Sequence, residues 1–148
     1  MNIYSTASFA LLCAAPVVLV SCSARTAQDT LDEEAALIAA TIDLLEATTE
    51  ENTDEILAKL EKLGAQREEI FNYRKTLSEE EVQNAYFSEK TQERLDALSK
   101  RLCDEVGPKF NEIAQNAQDV TGLQKVCDIV MDYCYLLPGL APAPQEAE

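Results

Sequence analysis

The sequence predicts an all-α protein, a small antiparallel bundle of four helices or three long ones. Three observations predict it. Apolar residues recur at spacings of three and four through most of the chain after Gln28. No stretch alternates apolar and polar residues as a half-buried strand does, and no Asn-Gly or Asp-Gly turn occurs. Only 4 glycines are present in 148 residues, too few for a fold rich in tight turns.

The first helix is marked by Leu31, Ala35, Ile38, Ile42 and Leu45, one apolar stripe. Ile56, Leu60, Leu63 and Ile70 form a second stripe, interrupted by Arg67. Between them, Thr48 to Asn52 is polar and poor in helix formers, and Asn52 with Glu55 has the spacing of a capping box. Folding the chain back there pairs Leu45 with Ile56, Ile42 with Leu60, Ile38 with Leu63 and Leu31 with Ile70. These pairs have nearly constant summed positions, as an antiparallel hairpin requires. One long helix from Gln28 to Lys75 is the competing reading, but its apolar stripe would slip between Ile56 and Leu60.

A third helix is expected to start at Ser78, whose hydroxyl and the Glu81 carboxylate can cap each other's backbone amides. Its apolar positions run through Val82, Tyr86, Leu95, Leu98, Leu102, Val106, Phe110 and Ile113. Gly107-Pro108 should kink or interrupt it, because proline lacks the amide hydrogen and its ring crowds the preceding turn. A fourth helix opens at Thr121, with Gln124 as capping partner. It carries Leu123, Val126, Cys127, Val130, Tyr133, Cys134 and Leu137 before Pro138-Gly139 ends it.

The length supports one domain. The net charge of −15 (12 basic against 27 acidic side chains) argues against nucleic acid as a partner, because phosphates need a basic face. Residues 25–61 hold two basic and eleven acidic side chains, so the acidity is densest at the start of the helical region. That density suits a solvated helix face, a basic partner patch or loosely held divalent cations.

Ahead of the helices, Ala7 to Val20 carries no charge and contains Pro16. Such a run matches the apolar core of an export signal and is shorter than the roughly 20 residues a membrane span needs. Directly after it stands Leu19-Val20-Ser21-Cys22, which resembles the lipobox of bacterial lipoprotein precursors. The preceding Met1 to Thr6 departs from the usual pattern in having no Lys or Arg. The resemblance covers about the first 22 residues and implies that Cys22 is acylated and becomes the first residue of the mature protein. It implies a signal peptide over 1–21, a lipid-anchored leader over 22–28 and a cell-envelope location, with the outer membrane favoured because Ser23 is not Asp. The alternative is a cleavage site after Ala24 and a free periplasmic protein. The bundle then occupies 29–137, and 138–148 is a Pro-rich flexible tail.

With Cys13 in the signal and Cys22 acylated, Cys103, Cys127 and Cys134 remain. Cys127 and Cys134 are seven residues apart on one helix, a rise of about 10 Å, too far for a disulfide. An antiparallel register that pairs Val106 with Val130, Phe110 with Cys127 and Ile113 with Leu123 also brings Cys103 to Cys134. A Cys103–Cys134 disulfide is therefore expected in an oxidising compartment. A Cys103–Cys127 bridge is the alternative if Pro108 breaks its helix, and three buried thiols are another.

There is no histidine, which removes the usual general base, the commonest zinc ligand and the haem axial ligand. The Glu-x-x-His di-metal signature cannot occur, and no phosphate loop or nucleophile elbow is present. Glu33, Glu34, Glu79, Glu80 and Glu81 are accounted for by helix starts and exposed faces. No catalytic residue, cofactor or metal site is expected, and the chain is read as a non-enzyme. Two functional readings follow. One is a lipid-anchored interaction or structural module with an envelope protein as partner and the membrane engaged through Cys22. The other is a periplasmic binding module for a small apolar ligand or divalent cations. Tyr73, Tyr86, Phe87, Tyr133 and Tyr135 are the candidates for a groove or pocket.

Overall fold

The computed structural model describes residues 25–138; the expected signal, Cys22 and most of the Pro-rich tail lie outside the described residues. The described chain is all-helical, as the sequence predicts. Its elements are α1 (Ala27–Glu46), a short 3-10 turn (Glu50–Asn52), α2 (Thr53–Arg74), α3 (Glu79–Tyr86), α4 (Glu89–Lys100), a π-turn (Arg101–Val106), α5 (Gly107–Asn116) and α6 (Thr121–Tyr133).

Helix α1 lies at the centre of the bundle, packing against α2, α3, α4, α5 and α6. Leu31, Ala35, Ile38, Ile42 and Leu45 are all buried, as are Ile56, Leu60 and Ile70 on α2. The hairpin between α1 and α2 is thus present, and the single-helix alternative is not. Its turn is held differently from expectation. Asn52 accepts from the Thr49 amide at 2.7 Å and donates to the Ala47 carbonyl at 2.9 Å, so it braces the turn behind it instead of pairing with Glu55.

The α1 N-terminus is closed by a reciprocal cap in which Thr26 Oγ1 accepts from the Asp29 amide and Asp29 accepts from the Thr26 amide. The same device operates at Ser78 and Glu81, where the sequence places it. The chain then breaks sooner than the apolar pattern suggests. At Phe87 it leaves helical geometry, and Ser88 caps a new helix by accepting from the Thr91 amide at 3.4 Å. Ser88 also donates to Gln28 at 3.2 Å, tying this corner to the start of α1.

Gly107-Pro108 does not stop the third rod. Leu98, Leu102, Val106 and Phe110 are spaced by four, wider than the 3.6 residues of an α-helical turn, and a π-turn absorbs the excess. Within it the Gly107 amide reaches back five residues to the Leu102 carbonyl. A side chain at Gly107 would place its Cβ 2.8 Å from that same carbonyl oxygen, so the wide turn closes only around glycine. Pro108 follows in the first turn of α5, where the missing amide hydrogen costs little.

The turn that leads into α6 is held from another element. Glu50 Oε1 accepts the backbone amides of Gln118 and Asp119, both at 3.0 Å, and Asp119 accepts the Thr121 amide at 2.9 Å. Gln124 bonds forward to Asp128 and does not cap Thr121, a correction to the expected pairing. The helix ends at Tyr133, earlier than Pro138, yet Cys134 and Leu137 remain fully buried in the turns that follow. Buried Thr41 and Thr48 satisfy their hydroxyls on the carbonyls of Leu37 and Leu44, four residues back.

Candidate functional site

Among the described residues one charged side chain, Glu34, is buried in the bundle. Glu34 on α1 is only 3% exposed, which overturns its assignment to an exposed face. Its carboxylate accepts from Arg74 at 2.6 Å and from the Tyr135 hydroxyl at 2.6 Å. Arg74 also donates to the Tyr135 oxygen at 2.7 Å, closing a three-way contact among α1, α2 and the segment after α6. A carboxylate this deep requires such partners, since an unpaired buried charge is costly. Burial, followed by the neighbouring Glu34 charge, pushes the Tyr135 phenol up to about 12, so it is a neutral hydrogen-bond donor. Burial acts to lower the Arg74 pKa, but Glu34 and Tyr135 outweigh it and hold the cation.

A second arginine extends the cluster. The Arg67 guanidinium lies 5.2 Å from the Tyr133 ring centre and 5.1 Å from that of Tyr135, and pairs with Asp132 at 3.3 Å. The residue that interrupts the α2 apolar stripe is therefore a packing element, its charge set against two aromatic faces. Tyr133 donates to the Leu60 carbonyl at 3.2 Å, and a Cβ at Gly64 would fall 2.2 Å from its hydroxyl oxygen. Tyr73 donates to the Arg25 carbonyl at 2.9 Å while the Arg25 guanidinium lies 4.9 Å from its ring centre. Three of the candidate pocket tyrosines thus act as ties between elements. Tyr86 contacts Phe87 edge-to-face, with ring centres 5.1 Å apart.

The arrangement locks the fold; it does not present a reacting group. Glu34 has both oxygens engaged and no exposed face. A depression of about 580 Å³ lies between α1 and α2, lined by Arg25, Glu33, Ala36, Leu37, Gln66 and Ile70 among others. It is an open groove, lined mostly by the apolar side chains of Ala36, Leu37, Ala40, Leu63 and Ile70, with Arg25, Glu33 and Glu69 also on its walls. Among the described residues no group of three His, Cys, Asp or Glu side chains is placed to hold a metal ion. No described helix is long and apolar enough to cross a membrane.

The cysteines are arranged unlike the expectation. Cys103, Cys127 and Cys134 are all free, with Cys103 exposed, Cys127 half-buried and Cys134 fully buried. The expected Cys103–Cys134 bridge is absent because the π-turn keeps Leu102 and Val106 on the core side and leaves Cys103 outside. Cys103 instead lines a crevice of about 310 Å³ with Cys127, Met131, Leu102 and Phe110. Burial pushes the Cys134 thiol up to about 12, and burial with nearby Asp128 raises that of Cys127. Neither is an activated nucleophile.

The sequence signals for this cluster were Arg67 inside an apolar stripe and Tyr133 with Tyr135 at the end of another. Neither identifies Glu34 as their partner, 101 positions from Tyr135. Among the described residues the exposed large apolar side chains are Phe71, Phe87, Val120 and Met131, of which Phe87 is 71% exposed. No family model, curated protein or solved structure matches this chain.

Proposed function

We propose that the chain is a lipid-anchored lipoprotein of the bacterial cell envelope, held in the outer membrane through acylated Cys22 and facing the periplasm. Its acidic bundle acts as a protein-interaction or structural module. The observation that carries this reading is the lipobox-like Leu19-Val20-Ser21-Cys22 followed, four residues after the cysteine, by Thr26, the capping residue of α1. A folded domain beginning so soon after the cysteine would be held close to the membrane by such an anchor. Two or three acyl chains on one residue, at about 0.8 kcal/mol per buried methylene, are sufficient for lasting anchorage.

Support for an interaction role over catalysis comes from the buried cluster, whose titratable groups are occupied with one another. The apolar-ligand or cation-binding reading is less favoured, because the groove between α1 and α2, though largely apolar in lining, is open and does not enclose a ligand, and no described ligand set suits a metal. The test is a Cys22→Ser chain expressed beside the wild type. The reading expects the wild type in the membrane fraction and the variant in the soluble periplasmic fraction. Cross-linking of the wild type in intact cells should then capture a discrete envelope protein. Membrane association unaffected by Cys22→Ser contradicts the anchor, and an absence of any cross-linked partner contradicts the interaction role.

A further inference from the structure

We infer that the end of the bundle bearing Phe87 and the Phe71–Lys75 pair rests directly on the lipid bilayer, with Phe87 inserted at the headgroup boundary. The inference deepens the lipoprotein reading and rests on it.

The first argument is the length of chain between anchor and fold. Arg25 is fixed to the bundle by the Tyr73 hydrogen bond, by its position over the Tyr73 ring and by its ion pair with Glu33. Only Ser23 and Ala24 separate it from Cys22. Three peptide steps span at most about 11 Å. An acylated Cys22 therefore draws this end of the bundle to the bilayer. The opposite end, where Glu50 caps the turn before α6, is set back by the 20 residues of α1, about 30 Å at 1.5 Å per residue.

The second argument is what the near end exposes. Phe87, 71% exposed, stands at the corner between α3 and α4, next to Ser88, which bonds Gln28 in the first turn of α1. Phe71, 40% exposed, lies one turn before the end of α2, with Lys75 Nζ 4.3 Å and the Arg74 guanidinium 5.2 Å from its ring centre. An exposed aromatic ring beside a lysine stem suits a boundary where the ring enters the apolar layer and the ammonium stays among headgroups.

Charge sets the kind of surface. At this end Asp32 is paired with Lys90, Glu33 with Arg25 and Glu34 with Arg74, whereas Glu79, Glu80 and Glu81 open α3 without basic partners. Attraction to anionic lipid is not the driving force on a chain of net charge −15. The contact relies on the anchor and on apolar insertion, and a zwitterionic bilayer suffices.

The chain contains no tryptophan, so single substitutions at exposed sites give proteins with one indole each. Phe87→Trp and Phe71→Trp report on the near end, and Val120→Trp, at a half-exposed position beside the Glu50 cap, reports on the far end. Each full-length protein is purified from membranes, its acylation established by mass, and placed in phosphatidylcholine vesicles with or without acyl chains brominated near the headgroup. Phe87→Trp should emit at shorter wavelength and lose emission to brominated lipid, Phe71→Trp should lose less, and Val120→Trp should lose none. An acylated Phe87→Trp protein that is not quenched overturns the docking surface and leaves the anchor standing. Equal quenching of Val120→Trp also overturns it. A protein without acyl chains on Cys22 overturns the lipoprotein reading itself, and the docking surface with it.

Discussion

Tyr135 donates its phenolic hydrogen to Glu34 at 2.6 Å, joining the segment after α6 to the first half of α1. Arg74 completes the contact from α2. Removing one partner of a buried ion pair leaves the other unpaired, which costs about 3–5 kcal/mol. Glu34→Gln and Arg74→Met are each expected to destabilise the fold in that range, read as a lower denaturation midpoint in urea. Tyr135→Phe should cost about 1.5–3 kcal/mol, because it deletes a hydrogen bond to a charged group without orphaning the charge. The double variant Glu34→Leu with Arg74→Met should be less destabilised than the two singles combined, since it leaves no buried charge.

Gly107 provides a prediction opposite in sign to helix propensity. Its backbone is helical (φ −57°), and on propensity alone Gly107→Ala would stabilise by about 1 kcal/mol. The new Cβ meets the Leu102 carbonyl oxygen at 2.8 Å, a backbone atom that cannot step aside. Gly107→Ala should therefore destabilise, with a lower thermal midpoint. Gly64→Ala meets the Tyr133 hydroxyl at the end of its ring, so its cost should fall in a Tyr133→Phe background, where only the ring carbon 3.3 Å away remains.

Much of this fold is legible in the sequence, because it is written in apolar spacing and short-range caps. Leu31 to Leu45 against Ile56 to Ile70 specifies the hairpin register, and Ser78 with Glu81 marks a helix start without reference to anything distant. The misses have a common cause in contacts made far along the chain. Ser88 breaks the third helix because Gln28 holds it, and the turn before α6 is held by Glu50 from another element. Glu34 looks like one more acidic surface residue until Arg74 and Tyr135 arrive from 40 and 101 positions away. The π-turn is visible only as a run of spacings of four, which displaces Cys103 from the face expected to meet Cys134.

Thiol reactivity should follow this placement. Cys103, exposed, should react with a maleimide first, Cys127 more slowly, and Cys134 only on global unfolding. Peptide mapping of native protein should show Cys134 unmodified and unlinked. A Cys103–Cys134 disulfide would require the π-turn to rearrange and would contradict the packing described here.

Alkaline pH should unfold the protein through two buried acids. The Cys134 thiol rises from 9.0 to about 12 and the Tyr135 phenol from 10.0 to about 12 on folding. Folded-state values above the unfolded ones mean that the neutral groups contribute fully below pH 9 and that this stability is lost between about pH 9 and 12. Thermal midpoints should fall across that window. Tyr135→Phe and Cys134→Ala should each flatten the fall while starting from a lower midpoint.

The central claim is that this bundle is tethered by a lipid at Cys22, and the mass of its N-terminal peptide tests that most directly. Protein extracted from the membrane of a bacterial host should yield a mature chain that begins at Cys22 and carries a diacylglyceryl group, with or without a further acyl chain on the amine. A mature chain that begins at any other residue, or at an unmodified Cys22, would contradict the account.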